Sequence, residues 1–340
     1  MKSILQKPLI LFCITFLSLG VHAQTDCDDA LYNANRTFKS GKLLETVSTL
    51  KGCLDNIKKD QQFEGYKLLA LSYQNLNEQD EMNKAIGMML KINPHYLKHP
   101  NNDPAEFSKA LAKFSVSPKA VVGIYTGVNM CNVSLVQSYS TLSTPQRYKT
   151  TTGYQLGLTG EFMIQQNLGV GLNASFAGTK ISHEMDYLES WKKNYLESNS
   201  WFQASLFGKK RFELGNAFEV YAGPQLGVSW MRSSKVNMET TNNKGLVVEQ
   251  DSKNGLDTRN RLQPMFGLLA GVEYKLEKAT IGLQGGFNWF GSTTVMGDQR
   301  LADEDFIFST QYINDDVKMR VFTLSITISG PILHSIKSSK

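Results

Sequence analysis

Apolar residues along this chain follow two different periods, and the change falls near residue 115. From Cys27 to Phe114 they recur every three to four positions, the spacing that lays one face of an α-helix on a core. Ala30, Leu31, Ala34 and Phe38 form one stripe and Leu43, Val47, Leu50 and Leu54 the next, with Ser40, Gly41 and Lys42 between them, which predicts a helical hairpin. A second pair runs through Phe63, Tyr66, Leu69, Ala70, Tyr73 and Leu76, then Met82, Ala85, Ile86, Met89 and Leu90, closed by Asn93 and Pro94. A shorter helix is expected after Pro104.

Past Ser115 the period is 2, with Phe114 to Pro118 as the boundary. Alternating stretches fall at about 119–132, 153–166, 167–181, 200–213, 217–234, 262–276, 279–293 and 316–330. In the second, Tyr154, Leu156, Leu158, Gly160, Phe162 and Ile164 share one face, while Gln155, Gly157, Thr159, Glu161, Met163 and Gln165 share the other. In the last, Phe322, Leu324, Ile326 and Ile328 oppose Thr323, Ser325 and Thr327. One face is greasy; the other is small or polar.

Alternation alone does not tell inside from outside, because a soluble barrel turns its apolar face inward around a ligand. Three features point to a membrane barrel. The polar face is rich in Gly and Ser, as suits a narrow, filled interior, while the bulky face suits lipid. The stretches exceed the ~9 to 11 residues of a tilted spanning strand. Connections also alternate in length: Asn167, Leu214 to Asn216 and Glu277 to Lys278 are short, whereas 133–152, 182–199, 235–261 and 294–315 are long. Glu161, Lys209, Glu273 and Lys275 are expected inside the barrel as paired charges, since burying them singly is costly. Tyr154, Phe162, Trp201, Phe212, Phe218, Trp230, Tyr274 and Trp289 lie near strand ends and read as interfacial girdles.

The first residues change the compartment. A basic start, the apolar run LILFCITFLSLG and small residues before Gln24 predict an export signal over 1–23. In an oxidising compartment Cys27 and Cys53, near the two ends of the first hairpin, are brought together by antiparallel packing and are expected to form a disulfide, leaving Cys131 unpaired. The chain enters its first strand from the rim of the short turns. Residues 24–115 and a tail at 333–340 are therefore expected in the periplasm, and 119–332 in the outer membrane of a Gram-negative cell.

Composition narrows the partners. Of 340 residues, 36 are Lys or Arg and 31 Asp or Glu, a net charge of +5 spread along the chain, which implies no nucleic-acid tract. With 41% hydrophobic and 10% aromatic residues the chain is too apolar for disorder. Residues 24–115 balance 12 basic against 12 acidic residues, so charge names no partner for them.

Tyr66, Leu69, Ala70, Tyr73, Ile86 and Pro94 stand where a tetratricopeptide (TPR) repeat has its packing residues, with Ala70 in place of the usual Gly. The region resembles a TPR-like domain, and stacked helical hairpins present a concave face that binds peptide segments. It also resembles a small helical domain that precedes envelope barrels, sharing Cys27, Cys53 with Leu54, the Tyr66 to Tyr73 helix, and Asp103 to Phe107. The C-terminal two thirds is similar to the PorT-like outer-membrane β-barrel family, through YQLGLTG at 154–160, QQNLGVGL at 165–172, WFQASLFGKKRF at 201–212 and YAGPQLG at 221–227. The chain departs from that pattern in extending from Leu333 to Lys340 beyond its last strand. The expected fold class is therefore α + β multidomain: N-terminal TPR-like α-helical hairpins followed by an eight-stranded antiparallel transmembrane β-barrel. The resemblance implies a role in protein export or cell-surface assembly.

Chemistry has few candidates. Ser182, His183 and Glu184 would suit a nucleophile and base at a strand end, but neighbours on a strand face opposite ways. His95 and His99 flank Tyr96 without further metal ligands, and no CxxC occurs, so neither metal nor cofactor is expected. The aromatic and charged loops at 186–198 and 301–316 suit lipopolysaccharide or another surface protein. The reading is a non-enzymatic anchor with a periplasmic protein partner. The rivals are a barrel enzyme acting on envelope lipids and a narrow channel.

Overall fold

The computed structural model describes Cys27 and residues 29–98, 103–139, 147–187, 191–215, 217–242, 244–302, 304–310 and 312–338. The expected export segment 1–23 and His99 lie outside the described residues. The described residues form two compact units, one of those up to Ser117 together with residues 334–338 and one of those from Pro118 to Leu333.

The first unit contains α1 (Ala30–Lys39), α2 (Leu43–Cys53), α3 (Lys59–Asn75), α4 (Gln79–Ile92) and α5 (Ala105–Leu111). Its core is the helical stripes of the sequence: Ala34, Leu50, Ala70, Tyr73, Ile86, Met89, Leu90 and Phe107 are buried together. Of the six repeat-like packing positions, Leu69, Ala70, Tyr73 and Ile86 are buried, while Tyr66 and Pro94 are half-buried. A buried hydroxyl pair, Thr37 and Thr46 at 2.9 Å, closes the α1–α2 hairpin. Cys27 and Cys53 are joined, with Cα atoms 5.3 Å apart. Gly65 lets the end of α2 rest on α3, because a Cβ there would run into the Leu54 side chain. Before α5, Asp103 accepts from Tyr96 at 2.7 Å and pairs with Lys67 at 2.7 Å, which ties the Asp-Pro turn to α3.

The second unit is built from β1 (Phe114–Gln137), β2 (Arg147–Lys149), β3 (Thr151–Gln165), β4 (Leu168–Tyr187), β5 (Trp191–Leu214), β6 (Phe218–Asn242), β7 (Val247–Asn254), β8 (Leu262–Lys275), β9 (Thr280–Phe290) and β10 (Asp316–Ser338), with a short helix α6 (Glu304–Thr310). Eight strands close a circuit, β1–β3–β4–β5–β6–β8–β9–β10, each antiparallel to its sequence neighbour in the circuit. Short β2 continues the pairing of β3 with β4, and β7 pairs with β6.

Outward positions are apolar. Leu158, Leu172, Leu206, Leu226 and Leu268 are 57–64% exposed, and Leu324, Ile326 and Ile328 about half. In water this continuous surface would be a severe liability, whereas in hydrocarbon it is the solvated face. On β5 and β6 the belt runs over Phe202 to Leu214 and Phe218 to Trp230. Among the described residues no helix is long and apolar enough to cross a membrane.

Three expectations need correction here. The span 182–199, read as a long loop, is mostly the hairpin of β4 and β5, which pair out to Tyr187 and Trp191. Likewise 235–261 contains the end of β6 and β7. Beyond the belt the inward positions of β5 are Lys193, Tyr195, Glu197 and Asn199, so the period of 2 continues in polar residues and hydropathy no longer shows it. Trp201, expected in a girdle, is wholly buried in the lumen, because it shares inward parity with Phe207, Lys209 and Arg211.

Candidate functional site

The lumen is filled in layers. At the short-turn end β3, β5, β6 and β8 bring Glu161, Lys209, Arg211, Glu219 and Glu273 together, all nine-tenths buried. Arg211 grips both oxygens of Glu161, and its Nε lies 3.8 Å from Glu219 and 3.7 Å from Glu273. Lys209 sits 3.6 Å from Glu161 and 3.9 Å from Glu273. Three buried carboxylates thus face two buried cations. Lys275, expected inside with them, stands at the rim with its side chain 40% exposed and bridges to Glu219 at 2.5 Å, since it lies at the last residue of β8. Arg211 and Glu219 were not singled out in the sequence, although Arg211 has the parity of Lys209 and Glu219 pairs across the sheet with Glu273.

Above this layer Phe207, Tyr221 and Leu269 pack as an apolar plug, with Tyr221 donating to Gln284 at 2.9 Å. Next come Gln155 with Ser325 at 2.5 Å, and Asn129 donating to the carbonyls of Tyr154 and Gly178 at 2.9 and 3.0 Å. A layer of Cys131, Trp201, Met231, Met265, Phe290 and Met319 follows. The described thiol Cys131 is free and buried.

At the long-loop end, beyond the belt, a second ionic lock forms. Arg259 is 1% exposed; it donates to both oxygens of Glu197 at 2.9 and 2.8 Å, to the Tyr195 hydroxyl at 2.8 Å and to Asn314 at 3.1 Å. Burial works to raise the Glu197 carboxyl, but Arg259, Tyr195 and Asn199 outweigh it and hold the group down at about 2. Arg259 and Asn314 come from irregular segments, where no period marks a residue as buried. Arg300 adds a bond to Asp316 at 2.6 Å.

His183 is enclosed by Tyr195, Tyr148 and Tyr312, with ring centroids at 4.5, 4.8 and 5.2 Å. Burial pushes its imidazole down to about 3, and both ring nitrogens lack a hydrogen-bond partner among the described residues. Ser182 and Glu184 lie on the opposite face, where Glu184 pairs with Lys149. The three candidates for nucleophile chemistry are therefore not brought together. His95 stacks edge-on with His334 at 5.7 Å, and no cluster of three or more metal-ligating side chains occurs among the described residues.

A closed circuit of strands, greasy outside and ionic within, corresponds to the family model that the sequence matches: residues 115–291, more than half of the chain, fit the outer membrane protein beta-barrel domain. The chain belongs to that family. Membership places it in the outer membrane. Among solved structures it is similar to neisserial surface protein A, with 11% identity over 64% of this chain and 99% of that one and a TM-score of 0.29. It is similar to OprG from Pseudomonas aeruginosa, with 15% identity over 63% and 95% and a TM-score of 0.32. The outer membrane protease OmpT from Escherichia coli gives 11% identity over 64% and 98%, also at 0.32. No curated protein sequence matches the chain.

Proposed function

We propose that this protein is a non-enzymatic outer-membrane anchor whose barrel retains a periplasmic, TPR-like interaction domain at the membrane, as a component of envelope protein export or cell-surface assembly. In this reading the short-turn rim faces the periplasm, the belt is solvated by outer-membrane lipid, lipopolysaccharide surrounds the long-loop end, and the helical unit binds an envelope protein. The observation that carries the proposal is the double ionic closure of the lumen. With Arg211 and Glu161 at one end, Arg259 and Glu197 at the other and side chains filling the space between, conduction is not what the barrel is built for. The burial of His183 among tyrosines, away from Ser182, favours the anchor over a lipid-modifying enzyme.

The test is photo-crosslinking in intact cells from Tyr32 and Leu44, which are 70% and 71% exposed on the helical unit. A defined envelope protein captured at both positions is the expected result. Absence of adducts at either position, or steady single-channel conductance of the purified chain in planar bilayers, would defeat the reading.

A further inference from the structure

On the outer side of β3 to β6 the belt ends in a row of aromatic rings. Tyr154, Phe176, Phe202 and Trp230 stand on adjacent strands, with successive ring centroids 6.3, 5.6 and 6.5 Å apart. Such rows sit where hydrocarbon gives way to headgroups. One step beyond the rings Gly178 faces Ser200 and Ser200 faces Ser233, with the two hydroxyls 2.6 Å apart. The next step is basic: Lys180 faces Ser198, and Ser198 faces Lys235. Two lysines thus flank a serine across two strand spacings, about 10 Å. A β-bulge adds a third cation. The pairing of β5 with β6 shifts between Ser200 and Trp201, which leaves Arg232 as the extra residue. Strict alternation from Trp230 would turn Ser233 and Lys235 inward, whereas the bulge leaves Arg232, Ser233 and Lys235 all exposed.

None of these three cations has an ion pair among the described residues, although other exposed cations at this end do: Lys149 pairs with Glu184, and Arg261 with Asp257 at 2.7 Å. The outward acids of β4 to β6 begin at Glu184 and Glu239, which share a row with Asn194 four residues farther from the belt, about 13 Å along the strands. Between the rings and that row the charge is positive alone. Like charges gathered on one face of a sheet repel one another, and an anion supplied from outside relieves the repulsion.

We propose that Lys180, Arg232 and Lys235, with the hydroxyls of Ser198, Ser200 and Ser233, bind a phosphate of an outer-leaflet glycolipid, the lipid A part of lipopolysaccharide, whose acyl chains run down over Phe176, Phe202 and Trp230. Charge and height select this occupant. The cations call for an anion and form charge-assisted hydrogen bonds with phosphate oxygens. The rings directly beneath them call for hydrocarbon attached to that anion, which a free phosphate lacks. The serines between the cations suit the hydroxyls of a sugar. The inference rests on the orientation proposed above, with the long-loop end outside, and assigns the lipid contact of that reading to particular residues.

The experiment titrates the purified full chain in detergent micelles with diphosphorylated lipid A and reads the retained lipid by native mass spectrometry. Saturable binding is expected. Lipid A stripped of its phosphates binds roughly a hundredfold more weakly, and so does diphosphorylated lipid A to the variant Lys180→Gln, Arg232→Gln, Lys235→Gln, since each cation near an anionic headgroup contributes about fivefold. Lys318→Gln with Arg320→Gln removes exposed cations from β10, four strands from β5 in either direction around the circuit, and leaves the affinity at the parent value. The heat-modifiable gel shift shows that each variant is a folded barrel. Inorganic phosphate alone does not displace the lipid. Equal binding of phosphate-free lipid A, an unchanged triple variant, an equal loss in the β10 variant, or displacement by inorganic phosphate would each overturn the proposal. None of these results alters the crosslinks from Tyr32 and Leu44, so the anchor reading and the lipid site fail separately.

Discussion

Replacing Arg259 with leucine removes the cation that compensates a buried carboxylate, and the structure fixes the size and the pH signature of the result. Glu197 is 2% exposed, and its charge is answered by two Arg259 bonds, the Tyr195 hydroxyl and Asn199. A carboxyl held at about 2, against 4.5 for an ordinary glutamate, carries stability of about 3 kcal/mol through linkage. Because the folded value is depressed, that stability is complete above 4.5 and is lost as pH falls toward 2. In R259L the same carboxylate is buried without its partner, which costs about 3–5 kcal/mol. Burial then raises the group, so the sign reverses and the variant gains stability as pH falls from 7. The assay is hydrogen exchange of the amides of residues 193–199 in the purified full chain, followed from pH 7 downward. Arg259→Leu combined with Glu197→Leu recovers most of the loss, since neither charge remains. A single variant within about 1 kcal/mol of the parent, or a double variant no better than the single, would refute the reasoning.

Other expectations follow from the same structure. Cys27→Ser opens the bridge between residues 26 apart and lowers the stability of the helical unit by about 3.5 kcal/mol, read as a matching loss when the parent is reduced in a chemical denaturation series. Gly223→Val prevents the heat-modifiable shift of a folded barrel on gels, because a Cβ there collides with the Gly208 carbonyl; Gly160→Val, which meets nothing within 4 Å, leaves the shift intact. Leu226→Arg puts a charge on the lipid face and costs about 2–4 kcal/mol in lipid-vesicle refolding, and an unaffected variant would place that face away from hydrocarbon.

The division into helices and strands, the eight-membered circuit and the outward belt could be read from the chain itself, because each depends on a local period. Leu156, Leu158 and Phe162 alternate with Gln155, Thr159 and Glu161 whatever lies across the sheet. The joined cysteines Cys27 and Cys53 were legible for the same reason, since a hairpin of two helices brings its ends together. The lumen was legible in part. Glu161, Lys209 and Glu273 are inward by parity, but only strand register decides that Arg211 is the residue that grips Glu161 and that Lys275 falls at the rim.

Tertiary structure alone decided the rest. Trp201 has the composition of a girdle residue, and its inward position depends on the parity of β5 carried through the irregular pairing at Ser200 and Trp201. Arg259, Tyr312 and Asn314 come from irregular segments and meet β5 residues more than fifty positions away, where no spacing links them. The long polar spans concealed strands because hydropathy marks a strand only where one face is apolar. Above the belt both faces are polar or mixed, and the hydrogen-bonded ladder, which leaves no trace in composition, holds the strands together.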